Sequence, residues 1–128
     1  MAETLYLDPH GLSANRASPK DLLRLTTTVM QSETFRRYVA TEQHECTVTA
    51  ADGTSRKAIW SNTNRLLEIE GFDGVKTGTT GAAGACLVAS CHRGDDHLVA
   101  VVLGSTSPEG RYVDLRNLLR WAWRQRSK

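Results

Sequence analysis

The stretch Gly74-Val75-Lys76-Thr77-Gly78-Thr79-Thr80, followed by Gly81-Ala82-Ala83-Gly84, decides how the rest of the chain is read. An apolar residue leads into Lys-Thr-Gly, two more threonines follow, and glycines then punctuate a turn. Beyond the turn, Cys86 to Ser90 has the composition of a strand. The pattern predicts that Lys76, Thr77 and Gly78 lie on a strand that turns back antiparallel at 81–84. Side chains alternate along a strand, so Lys76 and Gly78 face one side and Thr77 and Thr79 the other. Gly78 has no side chain, which lets another backbone come close. This suits a strand edge that receives a ligand better than one that packs a core.

Outward from this strand the pattern is α+β. Ser18-Pro19-Lys20-Asp21 starts a helix: Ser18 can cap, Pro19 suits the first helical position, and Asp21 favours the positive end. Leu22, Leu25, Thr26, Val29 and Met30 share one face of 19–31, and Ser32 caps a second short helix through Phe35, Tyr38 and Val39. Cys46 to Ala50 and Lys57 to Trp60 flank Asp52-Gly53, a hairpin signal. Ser61-Asn62-Thr63-Asn64 breaks that strand, and Asp73-Gly74 turns the chain into the central one. Strands are expected at 85–92 and 97–104, joined by Gly94-Asp95-Asp96 and apolar enough to want cover on both faces. A helix over 110–125 supplies one cover, with Leu115, Leu118, Leu119, Ala122 and Trp123 on its stripe. The expected fold is N-terminal helices, an antiparallel sheet carrying Lys-Thr-Gly, and a C-terminal helix packed on that sheet.

The chain of 128 residues is expected to be a single domain, 1–128, with 40% hydrophobic and 23% charged residues. A net charge of +2 points to no polyanionic partner. Arg111, Arg116, Arg120, Arg124 and Arg126 cluster on the last helix without aromatic platforms, which reads as a solvated face and not a nucleic-acid surface. There is no signal-peptide pattern and no apolar run long enough to span a bilayer. The three cysteines, Cys46, Cys86 and Cys91, make no disulfide framework. Cys91-His92 with His97 suggests zinc, but the order does not match the usual ligand spacings and 93–96 reads as a turn. No metal and no cofactor are expected. His10 reads as a loop histidine that holds its turn by hydrogen bonds.

Lys-Thr-Gly is also one element of the penicillin-binding protein and serine β-lactamase signature. Taken with Asp8-Pro9-His10-Gly11-Leu12, Trp60-Ser61-Asn62-Thr63-Asn64, Asp73-Gly74 and Leu98 to Gly104, the chain resembles the serine D-alanyl-D-alanine carboxypeptidases of peptidoglycan metabolism, the peptidase S11 group. The resemblance runs from about residue 7 to about residue 123, in the family's order. It implies a role outside the cytoplasmic membrane and a partner that is a D-Ala-D-Ala-type peptide or a β-lactam. By the same resemblance, Lys76 places positive charge beside the nucleophile and the substrate carboxylate. Thr77 donates its hydroxyl to that carboxylate, Gly78 leaves room, and the Thr79 N–H is half of an oxyanion hole. The peptide adds as a strand along 76–79.

The family's nucleophile comes from Ser-x-x-Lys, and no serine in this sequence has lysine three positions later. Thr54-Ser55-Arg56-Lys57 sits in the predicted hairpin, and Ser13-Ala14-Asn15 matches the family's Ser-x-Asn by letter alone. The chain therefore resembles the second half of the transpeptidase-like domain, with no complete catalytic set. The alternative is a non-catalytic peptide-binding or interaction module. In either case the strand at 97–104 ends the sheet, so a homodimer, a complementing N-terminal half, or Leu5-Tyr6-Leu7 folded against that edge is expected.

Overall fold

Two helices, a hairpin, a three-stranded sheet and a last helix follow one another in a computed structural model that describes residues 1–126. Helix α1 (Pro19–Val29) begins at the expected cap: the Ser18 side chain accepts from the Asp21 amide at 3.2 Å. Thr26 and Met30 are buried on its inner face, with Leu22, Leu25 and Val29 half-buried beside them. Asp21 does more than favour the helix start. Its buried carboxylate accepts from the Glu3 amide and the Thr4 hydroxyl, both at 2.9 Å, and so ties the N-terminal segment to α1. Helix α2 (Glu33–Ala40) is capped by Ser32. Phe35 and Val39 are half-buried, but Tyr38, expected beside them, is 68% exposed. So short a helix meets β3 along one narrow line, and positions 35 and 39 fill it.

Strands β1 (Gln43–Thr49) and β2 (Ser55–Ser61) pair around Asp52-Gly53 as a separate two-stranded sheet. Ala58 is the one strand residue of this hairpin that is buried. The main sheet holds β3 (Phe72–Thr80), β4 (Gly84–Arg93) and β5 (Asp96–Ser105) in the order β3-β4-β5, all antiparallel. Helix α3 (Gly110–Arg126) covers one face. There Leu87, Ala89, Cys91 and Ala100 meet Tyr112, Leu115, Leu119 and Trp123, with Leu66 closing the cluster. On the other face α2 lies against β3, close enough that a Cβ on Gly74 would sit 2.9 Å from Val39 Cγ2. Glycine is required at 74 for that contact.

Three expectations are corrected. Leu118 is 40% exposed and leaves the α3 stripe, which runs instead through Arg111, Tyr112, Leu115, Leu119 and Trp123. Steps of four from Leu115 reach 111, 119 and 123, whereas the forward step of three to 118 falls on the flank of that row. Arg111, read as part of a solvated arginine face, is buried at 7% exposure. Finally, Leu5, Tyr6 and Leu7 do not cover the edge of β5. They are exposed, and Leu5 pairs with Arg16 through backbone bonds of 2.8 and 2.9 Å.

The N-terminal loop is organised by Asp8, which accepts from the Gly11 and Ser13 amides at 2.5 Å and from Asn15 Nδ2 at 3.2 Å. Its carboxyl is held well below the usual carboxylate range, first by the Ser13 side chain and then by the Gly11 and Ser13 amides and Asn15, against the cost of burial. Asp21 is also lowered, first by the Glu3 amide. Both folded-state values lie below the unfolded value, so their contribution is complete above about pH 4 and declines as pH falls below it. Amide exchange followed by NMR should therefore show Glu3, Gly11 and Ser13 protected from pH 7 to about pH 4 and progressively less below. Protection that is flat down to pH 2 would count against this account.

Candidate functional site

Strand β3 pairs with β4 on one side, and among the described residues no strand pairs with its other side. Alternate N–H and C=O groups along that outer edge thus face away from the sheet, where an extended chain can bond to them. The register fixes the side chains. Thr77 lies opposite Leu87 and Thr79 opposite Ala85, on the face that α3 covers. Lys76 lies opposite Val88 and Gly78 opposite Cys86, on the other face, and both are exposed. A Cβ added at Gly78 would meet nothing within 4 Å, so the space beside it is open.

The segment before β3 fastens the strand. Asn64 is buried; its side-chain oxygen accepts from the Leu66 amide at 3.2 Å and its Nδ2 donates to Gly74 O at 3.0 Å. Asn62 Oδ1 accepts from the Asn64 amide at 2.9 Å, and Asn62 Nδ2 donates to Thr41 O at 3.1 Å. The Thr63 and Thr77 hydroxyls bond to each other at 2.5 Å, and the Tyr112 hydroxyl donates to Thr63 O at 3.1 Å. Thr77 is thus 6% exposed with its hydroxyl engaged, while Lys76 Nζ donates to Thr77 O.

Arg111 is the site residue that sequence reasoning missed. From the first turn of α3 its Nη1 donates to Thr79 Oγ1 at 3.0 Å, to Gly78 O at 3.3 Å and to Cys86 O at 3.4 Å. Its Nε is buried without a hydrogen-bond partner among the described residues. The described ion pairs give neither Arg111 nor Lys76 a carboxylate. Arg111 also lies over the Tyr112 ring, 5.1 Å from its centroid, so two cations flank one strand with neutral oxygens and an aromatic face as their described partners, an arrangement that favours an incoming anion. The signal for Arg111 was present in its spacing from Leu115.

The other candidates take structural places. Asn15 Oδ1 accepts from the Leu7 amide at 2.7 Å, so Ser13-Ala14-Asn15 belongs to the N-terminal loop. His10 Nδ1 accepts from the Leu12 amide at 3.3 Å, the turn-holding role expected of it. Ser90 Oγ meets His97 Nε2 at 2.7 Å, but Ser90 is fully buried and offers no nucleophile to a substrate. Two grooves of about 250 and 280 Å³ lie elsewhere, the first beside Arg65, Glu109 and Tyr112, the second beside Gln43, Ser61 and Glu68.

Comparison with known proteins agrees with this architecture. The family model of the D-alanyl-D-alanine carboxypeptidases, Peptidase S11, matches residues 1–107. A D-alanyl-D-alanine carboxypeptidase of Streptomyces sp. (strain K15) is 34% identical over 118 residues, 91% of this chain and 40% of the relative. D-alanyl-D-alanine carboxypeptidase DacF of Bacillus subtilis (strain 168) is 30% identical over 128 residues, 98% of this chain and 32% of the relative. The chain thus spans about a third to two fifths of these relatives' length. The crystal structure of the Streptomyces K15 DD-transpeptidase superposes with a TM-score of 0.79 at 34% identity, covering 88% of this chain and 44% of that one. Penicillin-binding protein D2 of Listeria monocytogenes, in its cefotaxime-bound form, gives 0.68 at 31% identity, covering 89% and 43%.

A buried guanidinium without a counter-charge adds little to stability, because its desolvation offsets its hydrogen bonds. Arg111→Met should therefore leave the unfolding free energy within about 1 kcal/mol of the parent in urea denaturation. A loss above roughly 3 kcal/mol would identify Arg111 as a structural strut instead.

Proposed function

The chain belongs to the D-alanyl-D-alanine carboxypeptidase family, Peptidase S11, and from that premise we propose that it is the substrate-binding half of a serine-type enzyme acting on peptidoglycan stem peptides outside the cytoplasmic membrane. The observation that supports this most is the free outer edge of β3, flanked by Lys76 and Arg111 with no protein carboxylate on either among the described residues. An acyl-D-Ala-D-Ala peptide would lie along that edge as an added strand. Its terminal carboxylate would be met by the Lys76 ammonium and the Arg111 guanidinium, and by the Thr77 hydroxyl once it turns from Thr63. Gly78 would leave room for the peptide backbone, and the Thr79 N–H would supply one oxyanion donor.

The sequence contains no Ser-x-x-Lys, so these 128 residues bring no nucleophile of the family's kind. An oxyanion donor without a nucleophile gives at most residual catalysis. Incubation with a penicillin should leave the intact mass of the chain unchanged in mass spectrometry. Titration with acyl-D-Ala-D-Ala should move the NMR signals of Lys76 to Thr79, and Arg111→Met should weaken binding roughly tenfold or more, the share of a charge-assisted hydrogen bond. A covalent penicillin adduct would overturn the missing nucleophile; no movement at Lys76 to Thr79 would overturn the binding edge.

A second reading rests on β5. Among the described residues no strand pairs with its outer side, and such an edge invites another chain. We propose that a second copy pairs there in solution when no complementing half is supplied. Sedimentation should then show a dimer; a monomer at the highest soluble concentration would overturn it.

A further inference from the structure

A cluster where β3 begins, before Lys76–Thr79, has a different chemistry. The β4–β5 hairpin turns on Gly94-Asp95, so His92 and His97 stand directly opposite each other. Their rings stack with centroids 4.3 Å apart and planes within 10°. The β3–β4 register shifts between Phe72 and Gly74, so Asp73 is the extra residue of a bulge. A bulge re-aims its side chain, and here His92 Nε2 lies 3.0 Å from Asp73 Oδ2. The other oxygen, Asp73 Oδ1, is buried with no hydrogen-bond partner among the described residues. One ligand atom from each of Asp73, His92 and His97 fits within a 4.8 Å span.

We propose that Asp73, His92 and His97 bind a divalent transition-metal ion, zinc first among them. Two imidazoles and one carboxylate are the donor set of three-ligand zinc sites, which leave a fourth position to solvent. Zinc–ligand bonds of about 2.0–2.1 Å place tetrahedral donors roughly 3.3 Å apart, so the cluster must contract by about 1.5 Å from its 4.8 Å span. His92 is 44% exposed, and rotation of its side chain can supply that movement while leaving a path from solvent. The buried Ser90 hydroxyl holds the His97 ring at 2.7 Å, as outer partners of metal-binding histidines do. The ion would also satisfy the lone pair that Asp73 Oδ1 leaves open. Cys91, whose place beside His92 first suggested zinc, takes no part: it points into the core under α3.

The test is isothermal titration calorimetry of the untagged 128-residue chain with zinc chloride alone. One zinc per chain is expected, with affinity lowered at least roughly tenfold by each of His92→Ala, His97→Ala and Asp73→Asn. The two remaining histidines serve as controls, and His10→Ala and His44→Ala should bind as the parent does. His92→Gln guards against a folding effect, and far-UV circular dichroism should show every variant folded. Saturating zinc should raise the melting temperature of the parent by about 5 °C or more and leave that of the His92→Ala/His97→Ala double variant unmoved. Absence of binding up to about 1 mM zinc, a limit near 4 kcal/mol, would overturn the proposal. So would binding that survives the double variant, or an Asp73→Asn affinity within threefold of the parent.

Discussion

The packing of α3 on β4, centred on Leu87 and Leu115, is the constraint from which the rest follows. Both side chains are at 0% exposure. Because side chains alternate with period two, seating Leu87 under α3 settles the face of every neighbour in register with it. Thr77 and Thr79 go beneath the helix, and Lys76 and Gly78 to the opposite side. On β4 itself, Ala89 and Cys91 join Leu87, which sends Ser90 and His92 the other way. A slip of one residue would exchange both sets, bury the Lys76 ammonium and expose the core leucine. The cost of burying an unpaired charge makes that register untenable.

Much of this was legible in the sequence because it rests on local signals. The Ser18-Pro19 start, the Asp52-Gly53 hairpin, the turn at 81–84 and the alternation at 76–79 all depend on a few adjacent residues, and each took the expected form. What was misread depended on distant partners. Tyr38 and Leu118 have helical spacing but no facing surface. Arg111 has the spacing of a core position and the charge of a surface one. Composition argued for solvent, yet Gly78 O, Thr79 Oγ1 and Cys86 O all accept from its Nη1 and anchor the guanidinium inside. No pattern within 110–126 could announce acceptors contributed by residues 78–86.

The histidine cluster shows the same limit from another side. Adjacency in sequence pointed to Cys91 beside His92, but neighbours on a strand face opposite ways. The partner that reaches His92 is Asp73, nineteen positions earlier on another strand, and only the bulge turns it there. A regular ladder would have left residue 73 with Phe72 and Gly74 as its flanking pairs and its carboxylate in strict alternation with theirs.

The two faces of the sheet therefore separate two kinds of chemistry. Under α3, Arg111 brings a permanent cation to the backbone of 78–79 from behind, where no water can screen it well. Opposite, Lys76 is exposed, with its Nζ on Thr77 O. On the function proposed above, a ligand with one carboxylate at the end of an extended backbone would be the simplest partner for both at once, its backbone along the open edge and its carboxylate near the cations. A ligand with charge along its length would leave most of it beside the neutral Gly78 and Thr79. A neutral strand would satisfy the edge yet leave the buried guanidinium uncompensated. The selectivity of β3 would thus come from where its charges stop: at the end of the bound chain, and nowhere along it.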